Sequence, residues 1–209
     1  IPNSSKMVVQ ALEKKIPVIS EIEFAGRFST AKTICVTGSN GKTTTTLLTY
    51  HILKKAGYNV GLAGNVGKSF ALQVANETYD YYVIELSSFQ LDNMYEFKAD
   101  VGILLNITDD HLDRYDFKPE KYAASKIRIA QNQTKEDTLI YNIDDPVVVN
   151  QIKQSTPNST LIPFSIKKEL KEGAYLTNEK QLSINLNSNP LLSMSIQKLA
   201  LQGKHNIYH

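Results

Sequence analysis

Positions 37 to 43 read Thr-Gly-Ser-Asn-Gly-Lys-Thr, a set of residues suited to holding phosphate. Gly38 and Gly41 remove the side chains that would keep an anion away from main-chain N–H groups. Lys42 can reach terminal phosphate oxygens, and the Thr43 hydroxyl can ligate Mg2+. If this loop joins a strand to a helix, the first amides of the helix add about half a positive charge facing the ligand. Gly38, Ser39, Asn40, Gly41, Lys42, Thr43 and Thr44 are therefore candidate nucleotide contacts. The Gly-x-x-Gly-Lys-Thr spacing is two residues shorter than the common Walker pattern. Residues 43–46 are all threonine, and each such residue is a poor helix starter by roughly a few tenths of a kcal/mol relative to alanine. A sequence that opposes its own local structure points to a functional site; the bland alternative is an ordinary glycine-rich turn with a capping threonine.

Other polar groups recur just after apolar runs, where a parallel sheet would gather them at one edge. Gly64-Asn65-Val66-Gly67 follows one run, Glu85 with Ser87 and Ser88 another, Asp109-Asp110-His111-Leu112-Asp113 a third, and Asn142-Ile143-Asp144-Asp145 a fourth. Glu85, closing a hydrophobic run, suits a Mg2+ ligand, direct or through water; a solvated strand-end charge is the alternative. His111, flanked by Asp110 and Asp113, can ligate metal or contact a substrate oxygen. Asp113-Arg114 also reads as a salt-bridged turn, and Lys126 taken alone reads as a surface lysine.

The elements that must position these groups alternate. Strands are predicted over 33–37, 60–63, 81–86, 101–106, 138–142 and 161–165. Helices are predicted over 44–56, with Leu47, Leu48 and Leu53 inward and Gly57 closing, from 64 to about 75, from Pro119 to about 131, and over 146–152. The strands are continuous apolar runs, as expected where helices cover both sheet faces. After Lys167 three short strands (174–177, 181–187, 192–197) read as a small antiparallel appendage. The fold class is thus α/β, a mostly parallel sheet flanked by helices with a P-loop, plus that appendage. Before the loop, a helix capped by Ser4 or Ser5, with Val8, Ala11, Leu12 and Lys15 on one stripe, precedes a short strand at 17–20.

The 209 residues carry 23 basic and 21 acidic side chains, a net charge of +2, too even and scattered for a nucleic-acid footprint. With 42% hydrophobic residues a real core is possible. No apolar run reaches the roughly 18 residues of a membrane helix. The single cysteine, Cys35, has no internal disulfide partner and sits in an apolar strand, which fits burial and a reducing, cytoplasmic compartment. Residues 1–24 read as the remnant of a preceding domain, 25–200 as the central domain, and 201–209 as the start of a linker, both ends looking trimmed.

On these residues the chain resembles the Mur ligase family, whose loop reads Thr-Gly-x-Asn-Gly-Lys-Thr. Its branch that adds D-glutamate is the nearest likeness, through Gly64-Asn65-Val66-Gly67, Glu85-Leu86-Ser87-Ser88-Phe89-Gln90-Leu91, Asp110-His111-Leu112-Asp113-Arg114-Tyr115, Tyr122-Ala123-Ala124-Ser125-Lys126-Ile127-Arg128 and Gly203-Lys204-His205-Asn206. The resemblance implies an ATP-dependent ligase of peptidoglycan precursor synthesis that joins D-glutamate to UDP-N-acetylmuramoyl-L-alanine through an acyl phosphate. It implies a UDP-binding domain before the ATPase domain and an amino-acid domain after it, so that the residues present would not turn over alone. It further implies Mg2+ at Thr43 and Glu85, a second Mg2+ near His111 and a carbamylated Lys126, with Lys42, His111 and Lys126 catalytic. Asn65, Ser87 and His111 would contact the muramoyl-alanine end, Asn206 the nucleotide, and the protein would be a monomer. The family motif His-Asn-x-x-Asn ends here at His209 instead of Asn, so adenine contacts of that last residue are not carried over.

Other classes share parts of this pattern. A folylpolyglutamate-type ligase has the same loop but is expected to lack Ser-Ser-Phe-Gln. A P-loop kinase or GTPase would carry the longer spacing, and a GTPase an Asn-Lys-x-Asp, which is absent. A nucleotide-binding module without catalysis is the non-enzyme reading.

Overall fold

The computed structural model describes residues 5–108, 112–186 and 189–195. Helix α1 (Lys6–Glu13) buries Val8 but leaves Leu12 exposed. Helix α2 (Glu21–Gly26) starts at Ser20, whose side chain accepts the Glu23 N–H. The strand predicted at 17–20 is not formed: the Ser20 N–H goes instead to the Asn93 carbonyl, and its hydroxyl is the α2 cap. Then follow β1 (Lys32–Thr37), α3 (Lys42–Lys55), β2 (Val60–Gly64), α4 (Phe70–Asn76), β3 (Tyr81–Glu85), α5 (Ser88–Asp92) and β4 (Val101–Leu104). A 3-10 turn (Leu112–Tyr115) leads to α6 (Pro119–Ile127), then β5 (Thr138–Asn142), α7 (Pro146–Ser155) and β6 (Thr160–Ser165). Strands β7 (Gly173–Leu176), β8 (Gln181–Leu186) and β9 (Asn189–Ser195) complete the order.

All nine strands form one sheet in the order β2-β3-β1-β4-β5-β6-β7-β8-β9. Pairings from β2 through β7 are parallel; β7–β8 and β8–β9 are antiparallel. The antiparallel strands expected near the C-terminus are present as a continuation of this sheet, joined through the pairs Phe164↔Ala174 and Ser165↔Tyr175. In β3 four successive residues from Tyr82 are buried, so both faces of the sheet centre are covered. The core gathers Cys35, Ile84, Leu86, Leu104 and Leu139 with Phe70, Tyr82 and Tyr122.

Two helix expectations shift. The helix expected from 64 begins at Phe70, because Gly64 and Gly67 sit at φ +93° and +83° and Ser69 is the cap, accepting the Leu72 N–H. In α3 the inward residues are Thr45 and Thr46; Leu47 points to solvent and Leu48 and Leu53 are half-buried. The second half of the threonine run, Thr45 and Thr46, is therefore the helix's packed part, while Thr43 is exposed.

A buried carboxylate ties helix α2 to the segment that leads into β4. Glu23 is fully buried, and its Oε2 accepts the N–H groups of Tyr95, Glu96 and Phe97 at 3.0, 3.1 and 2.9 Å. Its Oε1 accepts from Arg27 at 3.0 Å. Burial pushes this carboxyl up, but the N–H groups and Arg27 outweigh it, so the pKa lies below the usual range. Asp100, which holds Thr33 and Lys32, and Asp137, which holds Thr134 and Lys98, are lowered by the same contest. Each such group adds stability above its unfolded pKa and loses it as pH falls through the lower folded value. Stability should therefore decline below about pH 4. Urea denaturation of Glu23→Gln is expected to show a loss of about 2 kcal/mol at pH 7 from poorly satisfied N–H groups, and a shallower acid slope. An acid slope equal to wild type would show that Glu23 is not one of the groups responsible.

Candidate functional site

The loop between β1 and α3 is shaped by the exit of β4 beside it. Gly38 lies at φ +153°, which side chains rarely adopt, and a Cβ there would meet Leu105 Cβ at 3.0 Å and Asn106 N at 3.3 Å, so any larger residue would be strained and tightly packed. The Ser39 N–H donates to the Asn106 carbonyl at 2.9 Å, and the Asn40 N–H to Asn106 Oδ1 at 2.8 Å. Ser39 Oγ donates to the Thr108 carbonyl at 3.0 Å, accepts the Thr108 N–H at 2.9 Å, and lies 3.2 Å from Tyr122 Oη. Gly41, at φ +82°, is the N-cap of α3, a left-handed position that favours glycine. Lys42 Nζ bends back over the loop to donate to the carbonyls of Gly38 and Ser39, both at 2.8 Å. Thr44 is half-buried in the first helical turn.

The start of α3 and the ends of β2 and β3 meet at one carboxylate. Glu85, only 1% exposed, accepts the Thr43 hydroxyl on Oε2 at 2.7 Å and Asn65 Nδ2 on Oε1 at 2.9 Å. The Asn65 N–H also donates to the Glu85 carbonyl at 3.0 Å. The alternative of a solvated charge at Glu85 is thereby removed. A hydroxyl and a buried carboxylate side by side at the mouth of a phosphate loop form a hard-oxygen donor pair. Among the described residues no three His, Cys, Asp or Glu side chains gather into a metal cage.

Lys126 is not a surface lysine: it is 2% exposed. From α6 its Nζ reaches the Gly38 carbonyl at 3.0 Å and Thr37 Oγ1 at 3.4 Å, over the Tyr122 ring at 5.1 Å from the centroid. Ser87 is the N-cap of α5 in a capping box: its Oγ accepts the Gln90 N–H at 3.3 Å, and its N–H donates to Gln90 Oε1 at 2.9 Å. The Ser-x-x-Gln spacing is the signal that would have revealed this helix. His111 and Asn206 lie outside the described residues.

At the end of β5 the acidic residues serve the fold. Asp145 caps α7, accepting the Val147 N–H at 2.9 Å, and also takes the Ile107 N–H at 2.8 Å. Asp144 accepts the Ser165 hydroxyl at 2.7 Å and the Ile166 N–H at 2.8 Å. An open cavity of about 370 Å³ lies between Thr108, Asn142 and Pro146, next to the loop segment that Thr108 holds.

The description "Mur ligase middle domain" fits a family model matching residues 36–208. Over its full length the chain is 53% identical to a UDP-N-acetylmuramoylalanine–D-glutamate ligase of Bacteroides fragilis, covering 46% of that protein. It is 52% identical to the enzyme of the same name from Porphyromonas gingivalis over 99% of the chain and 46% of that protein. The chain therefore spans about half the length of the curated relatives it matches. Among solved structures, UDP-N-acetylmuramate:L-alanyl-gamma-D-glutamyl-meso-diaminopimelate ligase from Neisseria meningitides aligns with a TM-score of 0.68 at 17% identity, over the whole chain and 68% of that structure. E. coli FolC aligns at 0.62 and 14% identity, over 99% of the chain and 61% of that structure. These likenesses bear on the fold.

Proposed function

The chain belongs to the Mur ligase family, and from that premise we propose that it is the ATP-binding core of a ligase that adds D-glutamate to UDP-N-acetylmuramoyl-L-alanine. The observation that carries this reading is the meeting of Thr43, Asn65 and Glu85 at the mouth of the glycine loop. The names of relatives 52–53% identical supply the substrates. In the reaction a substrate carboxylate oxygen attacks the γ-phosphorus of ATP, ADP leaves, and an acyl phosphate forms. The D-glutamate amine then attacks the acyl carbon, phosphate leaves, and the amine gives up a proton as the amide forms.

Phosphoryl transfer asks the protein chiefly for position and charge neutralisation. The N–H groups of the loop and the Lys42 ammonium would face the phosphates, with Lys42 trading its contacts to Gly38 and Ser39 for phosphate oxygens. Thr43 and Glu85 would hold a Mg2+ ion, which supplies charge neutralisation of the phosphates when bound. Asn65 and Ser87, with His111, would face the muramoyl-alanine end, and Asn206 the nucleotide. Residues 25–200 would form the ATPase unit, with the flanking stretches belonging to neighbouring parts of a cytoplasmic, monomeric enzyme. Among the described residues no helix is long and apolar enough to cross a membrane.

Lys126 would carry a carbamate and hold a second Mg2+. One observation supports it. Lys126 is buried, 2% exposed, and its Nζ lies 3.0 Å from the same Gly38 carbonyl that Lys42 reaches at 2.8 Å, at the loop where the phosphates would sit. Carbamylation makes Lys126 an anion while leaving one N–H to keep the Gly38 contact.

Three outcomes are expected of the full-length enzyme. Given UDP-N-acetylmuramoyl-L-alanine, ATP and a panel of amino acids, it should release ADP and phosphate with D-glutamate; preference for another amino acid would overturn the substrate assignment. Lys42→Ala should lower kcat by about a hundredfold or more, as for loss of one preorganised donor, and near-normal kcat would refute the loop's role. Lys126→Ala should be inactive and partly rescued by small added carboxylates; full activity without them would end the carbamate reading.

A further inference from the structure

We propose that Asp92, Tyr115 and Ser125 form a positioning network that sets the direction of α5, and with it the Ser87 turn, for the muramoyl substrate. The inference rests on the ligase reading above. Helix α5 has five residues, too few to hold a direction by its own hydrogen bonds. It is gripped at both ends by hydroxyls from later in the chain. At its first residue, the Ser88 carbonyl accepts Ser125 Oγ at 3.0 Å. At its last, Asp92 Oδ2 accepts Tyr115 Oη at 2.7 Å.

The two hydroxyls also touch each other, with Tyr115 Oη 3.2 Å from Ser125 Oγ. Two protons thus serve three contacts. The carboxylate is the stronger acceptor and takes the phenol proton, while the serine proton goes to the Ser88 carbonyl. Ser88, Tyr115 and Ser125 are all buried, at 2%, 8% and 3% exposure. Burial, with the Asp92 carboxylate adding to it, pushes the Tyr115 phenol up to about 12, so it remains a donor at any working pH.

These contacts exceed what packing needs, since alanine at 125 and phenylalanine at 115 would fill the same space. They link segments the proposed chemistry requires together. Ser125 adjoins Lys126, Tyr115 ends the 3-10 turn after position 111, and Ser88 adjoins Ser87. Ser87 spends its own hydroxyl on the Gln90 capping box, so the direction it faces follows α5. The ATP side is held differently, through Ser39, Asn106 and Thr108. Loosening α5 should therefore disturb one substrate and spare the other.

The test is steady-state kinetics of the full-length enzyme carrying Ser125→Ala, Tyr115→Phe, both, or Ser125→Thr. Each single loss of a buried hydroxyl should raise the KM for UDP-N-acetylmuramoyl-L-alanine about five- to tenfold, with the KM for ATP within about twofold. The double variant should be little worse than either single, since both act through one helix. Ser125→Thr, which keeps the hydroxyl, should restore the KM. If both KM values rise together, or follow loss of thermal stability across all four variants, the network is only structural and the inference fails. Wild-type enzyme is assayed first: no turnover sinks the ligase reading itself, whereas normal turnover with unmoved variant KM values sinks the network alone.

Discussion

The carbonyl oxygen of Gly38 is the fixed point of the site. Lysines from two different helices, Lys42 and Lys126, donate to it at 2.8 and 3.0 Å. It is fixed because the chain leaving β1 is pressed against the chain leaving β4, so closely that a Cβ at position 38 would come within 3.0 Å of Leu105. The Leu105 N–H bonds to the Thr37 carbonyl at 3.0 Å and the Ser39 N–H to the Asn106 carbonyl at 2.9 Å, so the sheet's ladder continues into the loop. If it binds phosphate, as proposed, a loop held this way would need little ordering, which is where preorganised electrostatics gains over water.

Sequence pattern carried the parallel sheet, because continuous apolar runs such as 81–86 leave few alternatives, and β5 matched its expected bounds. It carried the loop as well, since glycine at 38 and 41 follows from sterics that operate locally. It placed Glu85 beside Thr43, because parallel strands bring their C-terminal ends to one edge. What it misjudged were contacts made at long range. Lys126 reads as surface until α6 is seen packed against the loop. Leu47 reads as core until Thr45 and Thr46 are seen to face inward. The 17–20 segment has strand-like residues, but among the described residues no strand pairs with it, and Ser20 caps α2.

The acidic strand ends show the limit of inference from convergence. Glu85, Asp144 and Asp145 all follow strands of the same sheet, yet only Glu85 meets the phosphate loop. Asp145 is spent on the N–H groups of α7 and Ile107, and Asp144 on the chain after β6. Asp-Asp-Pro before an apolar run is a helix-capping pattern, and capping accounts for Asp145 without any ligand. Position at a sheet edge makes a carboxylate available; its hydrogen-bond partners decide whether it stays so.

Helix α6 ties these parts to one another. Tyr122, Ser125 and Lys126 stand at i, i+3 and i+4, which places them on one face. Tyr122 reaches Ser39 in the phosphate loop, Ser125 reaches Ser88 at the head of α5, and Lys126 reaches Gly38. A slip of one residue in the helix would turn that face by about 100° and break all three contacts together. Pro119 at the first helical position fixes where the register begins, and the core residues Ala123 and Ile127 hold the opposing requirement of burial. The geometry of the loop, of the short helix and of the buried lysine is therefore one constraint, set by the phase of a single nine-residue helix.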